Sequence, residues 1–383
     1  MLPFIKANIN IVNSHNRTFL NLQIFRGLAA ILVLLSHANL LVDKTLLNGL
    51  LVIGRSGVDF FFVLSGFIIY YVNYGFIGDP TKFVIYIKKR FNRVYPIYWI
   101  YTLITLGIHF VLMNYTQKSL IYWIKVDLQN ITKSVSLYPV NVALKEAPII
   151  PVAWTLSFEI VFYAMFSLLI IFKPKLSIPI ATTWIAAVIF NAIGFFHTDN
   201  ILMNVILSIK NIEFFLGCLA AHLLRNYSIK IPKYLPSLLL SIGVILIGIS
   251  WWYNVRTGYI YSLIHKTDVI TFGIPFFIIV LSAVLLEEKE NHAKKGRLKS
   301  FLVYLGDASY SIYLTHFISL ILVNATLVKV FSLNSPTIFL ISFITATIMG
   351  CLSYTLIEKP LLNWLNNESL KTSTKSNRTL DIG

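Results

Sequence analysis

Long apolar runs separated by short polar segments make up most of this chain of 383 residues. A helix of about 20 apolar residues crosses a bilayer, and ten runs approach or exceed that length. The predicted spans lie at 24–42, 57–75, 95–114, 151–172, 176–197, 203–223, 234–253, 268–286, 301–327 and 336–357. The pattern predicts an all-α polytopic membrane protein with about ten transmembrane helices. The sixth span is unusual because Lys210 and Glu213 fall inside it: either they pair at i,i+3 or the span starts later.

The composition agrees with a membrane protein. Hydrophobic residues make up 57% of the chain and charged residues only 13%, against roughly 25% charged residues in soluble domains. Cys218 and Cys351 both lie in apolar runs, which argues against a disulfide framework. We predict one transmembrane domain at 24–365, between a cytoplasmic N-terminal segment at 1–23 and a disordered cytoplasmic tail at 366–383.

The net charge of +16 follows membrane topology rather than nucleic-acid binding. With the N-terminus inside, 22 Lys and Arg residues fall in cytoplasmic segments, 9 fall in outer loops and Lys210 falls in a span. Cytoplasmic loops carry an excess of Lys and Arg, so both termini are predicted to be cytoplasmic. We expect membrane lipids, and no nucleic acid, as partners; nothing in the pattern predicts an oligomeric state.

Four ionisable residues occupy predicted spans at similar depth. His37 follows Arg26 by 11 residues, which is about 16 Å along a helix. Asp59 lies near the outer start of the second span, Glu159 about 12 Å deep in the fourth, and His316 roughly 22 Å into the ninth. Ionisable groups inside a membrane are costly and mark functional sites by default. We predict that all four share one polar pocket in the outer half of the bilayer, although His316 also suits helix packing and Asp59 a solvated position.

A basic cluster precedes the third span. Arg90 and Arg93 lie at i and i+3, on one helix face, just before Pro96. Two guanidinium groups on one face can bind a phosphate through bidentate hydrogen bonds. The spacing predicts a site for a phosphate-bearing ligand on the cytoplasmic side; the alternative is a topology anchor that contacts lipid headgroups.

An ordered set of seven motifs resembles the integral-membrane acyltransferase family 3. The segments are RGLAA at 26–30 with His37, GVDFFFVLSGF at 57–67, RFNRVYP at 90–96, WTLSFE at 154–159, EFFLG at 213–217, SYSIYLTH at 309–316 and EKP at 358–360. The resemblance covers residues 20–365 and depends on the order and spacing of the motifs. Members of the family O-acetylate bacterial surface and secreted polysaccharides. The resemblance implies ten core helices, an acyl-CoA donor, a catalytic first-helix histidine and a multi-pass protein of the bacterial inner (cytoplasmic) membrane.

We therefore expect an acyltransferase that moves an acetyl or other acyl group from cytoplasmic acyl-CoA to a hydroxyl of a surface or lipid-linked glycan. His37, oriented or charge-balanced by Glu159, either acts as general base or itself carries the acetyl group. Asp59 is a further catalytic candidate. Arg90 and Arg93 are expected to bind the phosphates of the donor.

Three further residues are predicted as secondary contacts of the substrate, and they are His316, Trp154 and Ser157. Acetyl-CoA is expected as a donor substrate, with no permanently bound cofactor and no metal site. The acceptor partner is expected to be a glycan or a lipid-linked oligosaccharide.

Two other classes of protein remain open. A transporter or flippase for a lipid-linked glycan would also place His and Glu inside the membrane, as proton relays. Inverted repeats and paired broken helices would favour that class, and no clear pair is found in the sequence. A scaffold or regulatory membrane protein would leave His37, Glu159 and the arginine pair without a purpose.

Overall fold

The computed structural model describes residues 19–42, 46–116, 126–140, 147–196, 198–227, 231–258, 264–287, 296–331, 333–365 and 367. Most of the predicted N-terminal segment at 1–23 and nearly all of the predicted tail at 366–383 lie outside these ranges. The described part is helical and contains no strand. Its helices are α1 Leu20–Val42, α2 Gly57–Asn73, α3 Phe83–Thr116, α4 Leu128–Ser136, α5 Trp154–Ile171, α6 Pro174–Ala192, α7 Ile201–Ile206, α8 Asn211–Asn226, α9 Leu235–Thr257, α10 Ile274–Glu287, α11 Arg297–Asp307, α12 Ser309–Phe331 and α13 Ser335–Ser353.

Within the described ranges, nine helical stretches are long and apolar enough to cross a membrane, or ten if the bent pair α11 and α12 counts as one span. This confirms the predicted all-α polytopic membrane protein. The sixth predicted span is the stretch Ile201–Asn226, in which α7 and α8 are separated by a short break. The positions of the termini relative to the membrane stay a prediction.

The ninth predicted span, 301–327, is not one straight helix. The chain bends by 68° between α11 and α12. At the bend, the buried carboxylate of Glu358 accepts hydrogen bonds from the backbone N–H (3.1 Å) and the hydroxyl (2.6 Å) of Ser311, in the first turn of α12. A carboxylate is favourable at a helix N-terminus because the first N–H groups there have no partner within the helix. His316 is therefore seven residues into α12, about 10 Å along the helix, rather than 22 Å into a longer one.

Helix α3 begins twelve residues before the predicted start of the third span, at Phe83 rather than near 95. The pattern placed the start too late because basic residues interrupt the apolar run before Pro96. The helix continues through these residues, and Pro96 lies inside it. Arg90 and Arg93 thus lie seven and ten residues inside α3, alongside α5, instead of before its first residue.

Glycines bring α2 and α8 into close contact. A Cβ atom on Gly66 would lie 1.9 Å from the carbonyl oxygen of Phe214, and one on Gly217 would lie 1.9 Å from that of Val63. Small residues permit such close helix packing inside membranes. The crossing fixes α2, whose side chains reach both cavities described below.

Candidate active site

One cavity of about 140 Å³ lies among α1, α2, α3, α5 and α12 and is here termed the arginine cavity. Its polar lining consists of Arg26, Ser65, Arg90, Arg93, Thr155, Glu159, Tyr163, Ser309, Tyr310 and Tyr313. With every group ionised, three guanidinium groups face a single lining carboxylate, that of Glu159. The excess positive charge makes this cavity suited to an anionic ligand.

Two arginines of this cavity have different surroundings. Arg93 Nη1 donates to the buried carboxylate of Glu358 at 3.2 Å, and its guanidinium lies 5.4 Å from the centre of the Tyr310 ring. Arg90 has no carboxylate partner among the described residues; its guanidinium lies 5.9 Å from the Tyr86 ring and 5.8 Å from the Tyr163 ring. The aromatic rings hold the Arg90 charge in place without neutralising it.

Two buried polar atoms of the arginine cavity lack a hydrogen-bond partner in the part of the chain that the structure describes. They are Arg90 Nε and the hydroxyl oxygen of Ser309. Leaving a buried polar group unsatisfied costs about 1–3 kcal/mol, so such atoms call for an explanation. A hydrogen-bonding ligand in the arginine cavity would supply it.

Glu159 belongs to the arginine cavity and does not contact His37. Its carboxylate accepts hydrogen bonds from the Ser65 hydroxyl (3.2 Å) and the Tyr163 hydroxyl. The prediction that Glu159 orients His37 is therefore not met by the geometry. Depth counted along straight helices suggested similar levels, but it does not say which neighbour a side chain faces.

A second cavity, also about 140 Å³, is here termed the histidine cavity. Its polar lining consists of His37, Arg55, Ser56, Asp59, Trp154, Lys210, Asn254, Asp268 and Tyr313. The charges of this lining cancel when all groups are ionised, because the cations Arg55 and Lys210 face the carboxylates of Asp59 and Asp268. The arginine cavity, in contrast, has an excess of positive charge. Asn254 and the Trp154 ring add an amide and an aromatic face, which suit a neutral hydroxyl-bearing ligand better than a polyanion.

His37 contacts a second histidine, His316. The two rings lie 5.0 Å apart between centroids, and His316 Nε2 is 3.1 Å from His37 Nδ1. His316 Nδ1 is also 3.1 Å from the carbonyl oxygen of Ile312. A carbonyl only accepts hydrogen bonds, so Nδ1 of a neutral His316 carries the proton and its Nε2 accepts.

The contacts of His37 with His316 and with the backbone of Val33 favour one tautomer of His37. Because His316 Nε2 accepts, His37 Nδ1 must donate, and the lone pair of a neutral His37 then lies on Nε2. That tautomer is the one able to take a proton at Nε2. His316, which was predicted to share the pocket and to contact substrate, lines neither cavity, and it makes the contact with His37 that was predicted for Glu159.

Asp59 forms part of a buried ion cluster beside His37. Lys210 Nζ pairs with the carboxylates of Asp59, Asp268 (2.9 Å) and Glu213 (3.4 Å). The i,i+3 pair of Lys210 and Glu213 considered from the sequence is present, but Lys210 also joins two other segments. All four side chains are buried, so the solvated position considered for Asp59 is ruled out.

The predicted single pocket is therefore two cavities, and they are offset along the helices. Arg26 and His37 lie 11 residues apart in α1 and line different cavities, a separation of about 16 Å along the helix. On α5, Trp154 lines the histidine cavity and Glu159 lines the arginine cavity. Depth estimates from the sequence could not separate two cavities this close together.

Ser157 lines neither cavity, although it was predicted to contact substrate. Its buried hydroxyl donates to the carbonyl oxygen of Leu137 at 2.9 Å, which fixes the start of α5 against the segment after α4. Trp154, three residues earlier, lines the histidine cavity. Within the described ranges no group of three or more His, Cys, Asp or Glu is arranged to bind a metal ion.

Sequence reasoning missed twelve of the polar residues that line the cavities, among them Arg26, Lys210, Asp268 and Tyr313. From the sequence, Arg26 was interpreted only as one of the cytoplasmic charges that set the topology. Lys210 was considered only because it made the start of the sixth span uncertain. Lys210 was placed well inside a predicted span, and the rule that intramembrane charges mark sites could have identified it. Asp268 and Tyr313 carry no comparable signal in the sequence.

A family model described as an acyltransferase domain matches residues 19–355. The exopolysaccharide production protein ExoZ of Rhizobium meliloti (strain 1021) is 27% identical over 316 residues, which cover 81% of this chain and 90% of that protein. No solved structure matches significantly.

Proposed function

This chain belongs to the acyltransferase family whose domain model it matches over residues 19–355, and from that premise we propose that it transfers an acetyl group from acetyl-CoA to a hydroxyl of a surface or lipid-linked glycan. The family resemblance inferred from the motifs is thereby confirmed. One observation carries the proposal: a cavity with excess positive charge lies next to a cavity that contains a histidine in a base-competent tautomer.

The donor is proposed to bind with its phosphates in the arginine cavity. Acetyl-CoA has phosphate groups at one end and a thioester at the other, joined by an extended arm. Arg26, Arg90 and Arg93 supply guanidinium groups, the side chains best suited to phosphate oxygens. The unpartnered Arg90 Nε and Ser309 hydroxyl provide two further polar atoms for the ligand.

His37 is proposed as the general base. Its Nε2 takes the proton of the acceptor hydroxyl while the oxygen attacks the thioester carbonyl; the C–O bond forms, the C–S bond breaks, and the proton passes to the thiolate of CoA. In the alternative route His37 Nε2 itself attacks the thioester carbonyl, the C–S bond breaks and CoA leaves as the thiolate. The acceptor hydroxyl then takes the acetyl group from Nε2, and its proton passes to the thiolate. His316 serves both routes, because it holds Nδ1–H and leaves Nε2 free.

The acceptor is proposed to be a bacterial polysaccharide or its lipid-linked precursor, because the similar ExoZ is described as an exopolysaccharide production protein. The aromatic ring and polar groups of the histidine cavity suit a sugar hydroxyl. With both termini cytoplasmic, as the Lys and Arg distribution predicts, the arginine cavity lies toward the cytoplasm and the histidine cavity toward the outer face of the inner membrane.

Transfer of labelled acetyl from acetyl-CoA tests the proposal in membrane vesicles that contain the glycan. The parent should acetylate the glycan, seen as an acetyl mass difference, and His37→Ala should lose transfer by at least about 10²–10⁴-fold. Arg90→Ala should weaken donor use by about 1.5–3 kcal/mol, and Arg90→Lys should recover only part of it. Lys89→Ala is the control, because Lys89 is exposed and lines neither cavity.

The two routes are separated by omitting the acceptor. Label trapped on His37 in acceptor-free vesicles supports the acetyl-histidine route, and its absence with active protein supports the general-base route. Full glycan acetylation by a stably inserted His37→Ala variant contradicts both routes.

A further inference from the structure

Val58 and Tyr313 are the two residues that line both cavities. Val58 is the second residue of α2, and Tyr313 is the fifth residue of α12. Together they form the partition between the arginine cavity and the histidine cavity. Both side chains therefore lie at the boundary between the two cavities.

The Tyr313 side of the partition is fixed. Its hydroxyl donates to the carbonyl oxygen of Val152 at 3.0 Å and lies 2.8 Å from the hydroxyl of Thr155. Its ring packs edge-on against Phe61, with 5.9 Å between the centroids, and lies equally close to His316. The tyrosine therefore has contacts at both ends that oppose a rotamer change.

The backbone beneath Val58 is also fixed. A Cβ atom on the preceding Gly57 would lie 2.6 Å from the carbonyl oxygen of Ala29, so α2 starts in direct contact with α1. Asp59, the next residue, is held by Lys210. With both backbones constrained, the side chain of Val58 is the part of this boundary that a substitution changes most directly.

We propose that Val58 and Tyr313 act as a size filter that admits a small acyl group such as acetyl to the histidine cavity and excludes branched or bulky acyl groups. The inference rests on the proposed function, in which the thioester carbonyl must reach His37 from a donor held by the arginines. It deepens that function by naming the residue that determines the acyl class. Protein interiors are close-packed and deform little. One or two methyl groups, on the side chain or on the acyl group, therefore determine whether the acyl group can reach the histidine cavity.

The test compares acetyl-CoA with isobutyryl-CoA as donors for the parent and two variants. Val58→Ala should raise the ratio of isobutyryl to acetyl transfer by about 10- to 100-fold, the usual range for one or two methyl groups in a pocket. Val58→Phe should lose acetyl transfer while binding of a non-hydrolysable acetyl-CoA thioether stays within about threefold of the parent, since the arginine contacts are unchanged. Val72→Ala is the matched control: it makes the same change on the same helix, at a residue that is 54% exposed.

The outcomes of this test distinguish a failure of the size filter from a failure of the proposed acyltransferase function. An unchanged donor ratio in Val58→Ala, or parent-level acetyl transfer by Val58→Phe, overturns the filter and leaves the acyltransferase proposal standing. A parent protein that neither binds the thioether nor uses acetyl-CoA overturns the proposed function and the filter together. If Val58→Phe fails to insert, the donor ratio of Val58→Ala still decides.

Discussion

The Nδ1 atom of His37 lies 3.1 Å from an imidazole nitrogen of His316, not from a carboxylate. In a medium with little water, a neutral partner that accepts one hydrogen bond fixes the tautomer without adding a charge to the site. A carboxylate would instead favour the protonated, positively charged imidazole. The pair is therefore suited to a neutral base that must accept a proton at Nε2.

Replacing His316 by phenylalanine should keep the aromatic packing and remove the acceptor for His37 Nδ1–H. We expect kcat to fall by about 10- to 100-fold, the scale known for the loss of groups that orient metal-binding histidines, with the KM for acetyl-CoA nearly unchanged. His316→Gln, whose side-chain oxygen can accept, should recover part of the rate. His222→Phe is the control, because His222 bonds Tyr70 and lines neither cavity. Parent-level kcat in His316→Phe contradicts the orienting role.

Lys210 holds three buried carboxylates together, and its loss should destabilise the fold. Breaking a buried ion cluster by removing one partner typically costs about 3–5 kcal/mol. Lys210→Met should therefore lower the thermal unfolding midpoint of the detergent-solubilised protein, and adding Asp59→Asn should restore part of the loss. Lys89→Met, at an exposed position, should leave the midpoint unchanged. Equal midpoints for the parent and Lys210→Met would show that the cluster contributes nothing to stability.

At the scale of elements, α2 depends on its crossing with α8. Gly217→Ala should destabilise the protein by about 1–3 kcal/mol, the usual cost of overpacking, because the added methyl group meets the backbone oxygen of Val63 at 1.9 Å. Gly248→Ala in α9 is the matched control, since nothing lies within 4 Å of its added Cβ. Unfolding midpoints in detergent check the difference. A Gly217→Ala protein as stable as Gly248→Ala would mean that the crossing relaxes freely.

The sequence predicts most helices of this fold well and two of them poorly. The apolar runs located the long spans because the bilayer demands continuous hydrophobic length. The start of α3 was placed too late, since basic residues inside a membrane helix look like a loop when their partners are unknown. The break before α12 was missed because the carboxylate that accepts hydrogen bonds at the start of α12, that of Glu358, comes 47 residues after Ser311.

At the scale of the whole molecule, the motifs indicated the helices that carry His37, Arg90, Arg93 and Glu159 but not the grouping of these side chains. A transmembrane helix is apolar on the face toward lipid and also on the faces toward neighbouring helices. Hydrophobicity therefore predicts how deep a residue lies in the membrane, but not the direction in which its side chain points around the helix axis. The pairing of Arg90 and Arg93 could be predicted because it lies within one helix. The separation of Glu159 from His37 required the packing of α5 against α2 and α3.

Topology is the whole-molecule prediction that remains to be measured. The 22-to-9 distribution of Lys and Arg predicts that both termini are cytoplasmic. A reporter that is active only in the cytoplasm should therefore work when fused after Leu365, and a reporter that is active only outside should be silent there. The reverse result would place the arginine cavity toward the outer face and remove cytoplasmic acetyl-CoA as its ligand.

The partition at Val58 and Tyr313 also bears on electrical insulation. A membrane at 100 mV does about 2.3 kcal/mol of work on each elementary charge that crosses it. In the proposed mechanism each cavity is reached from one side of the membrane, so we expect this pair of side chains to keep that driving force from carrying protons and small ions through the protein. Vesicles that contain Val58→Gly should therefore lose an imposed proton gradient faster than vesicles with the parent, and cells that express it should respire faster to hold the same potential. The transfer that we propose across the bilayer therefore also requires that the protein block the flow of protons and small ions between its two cavities.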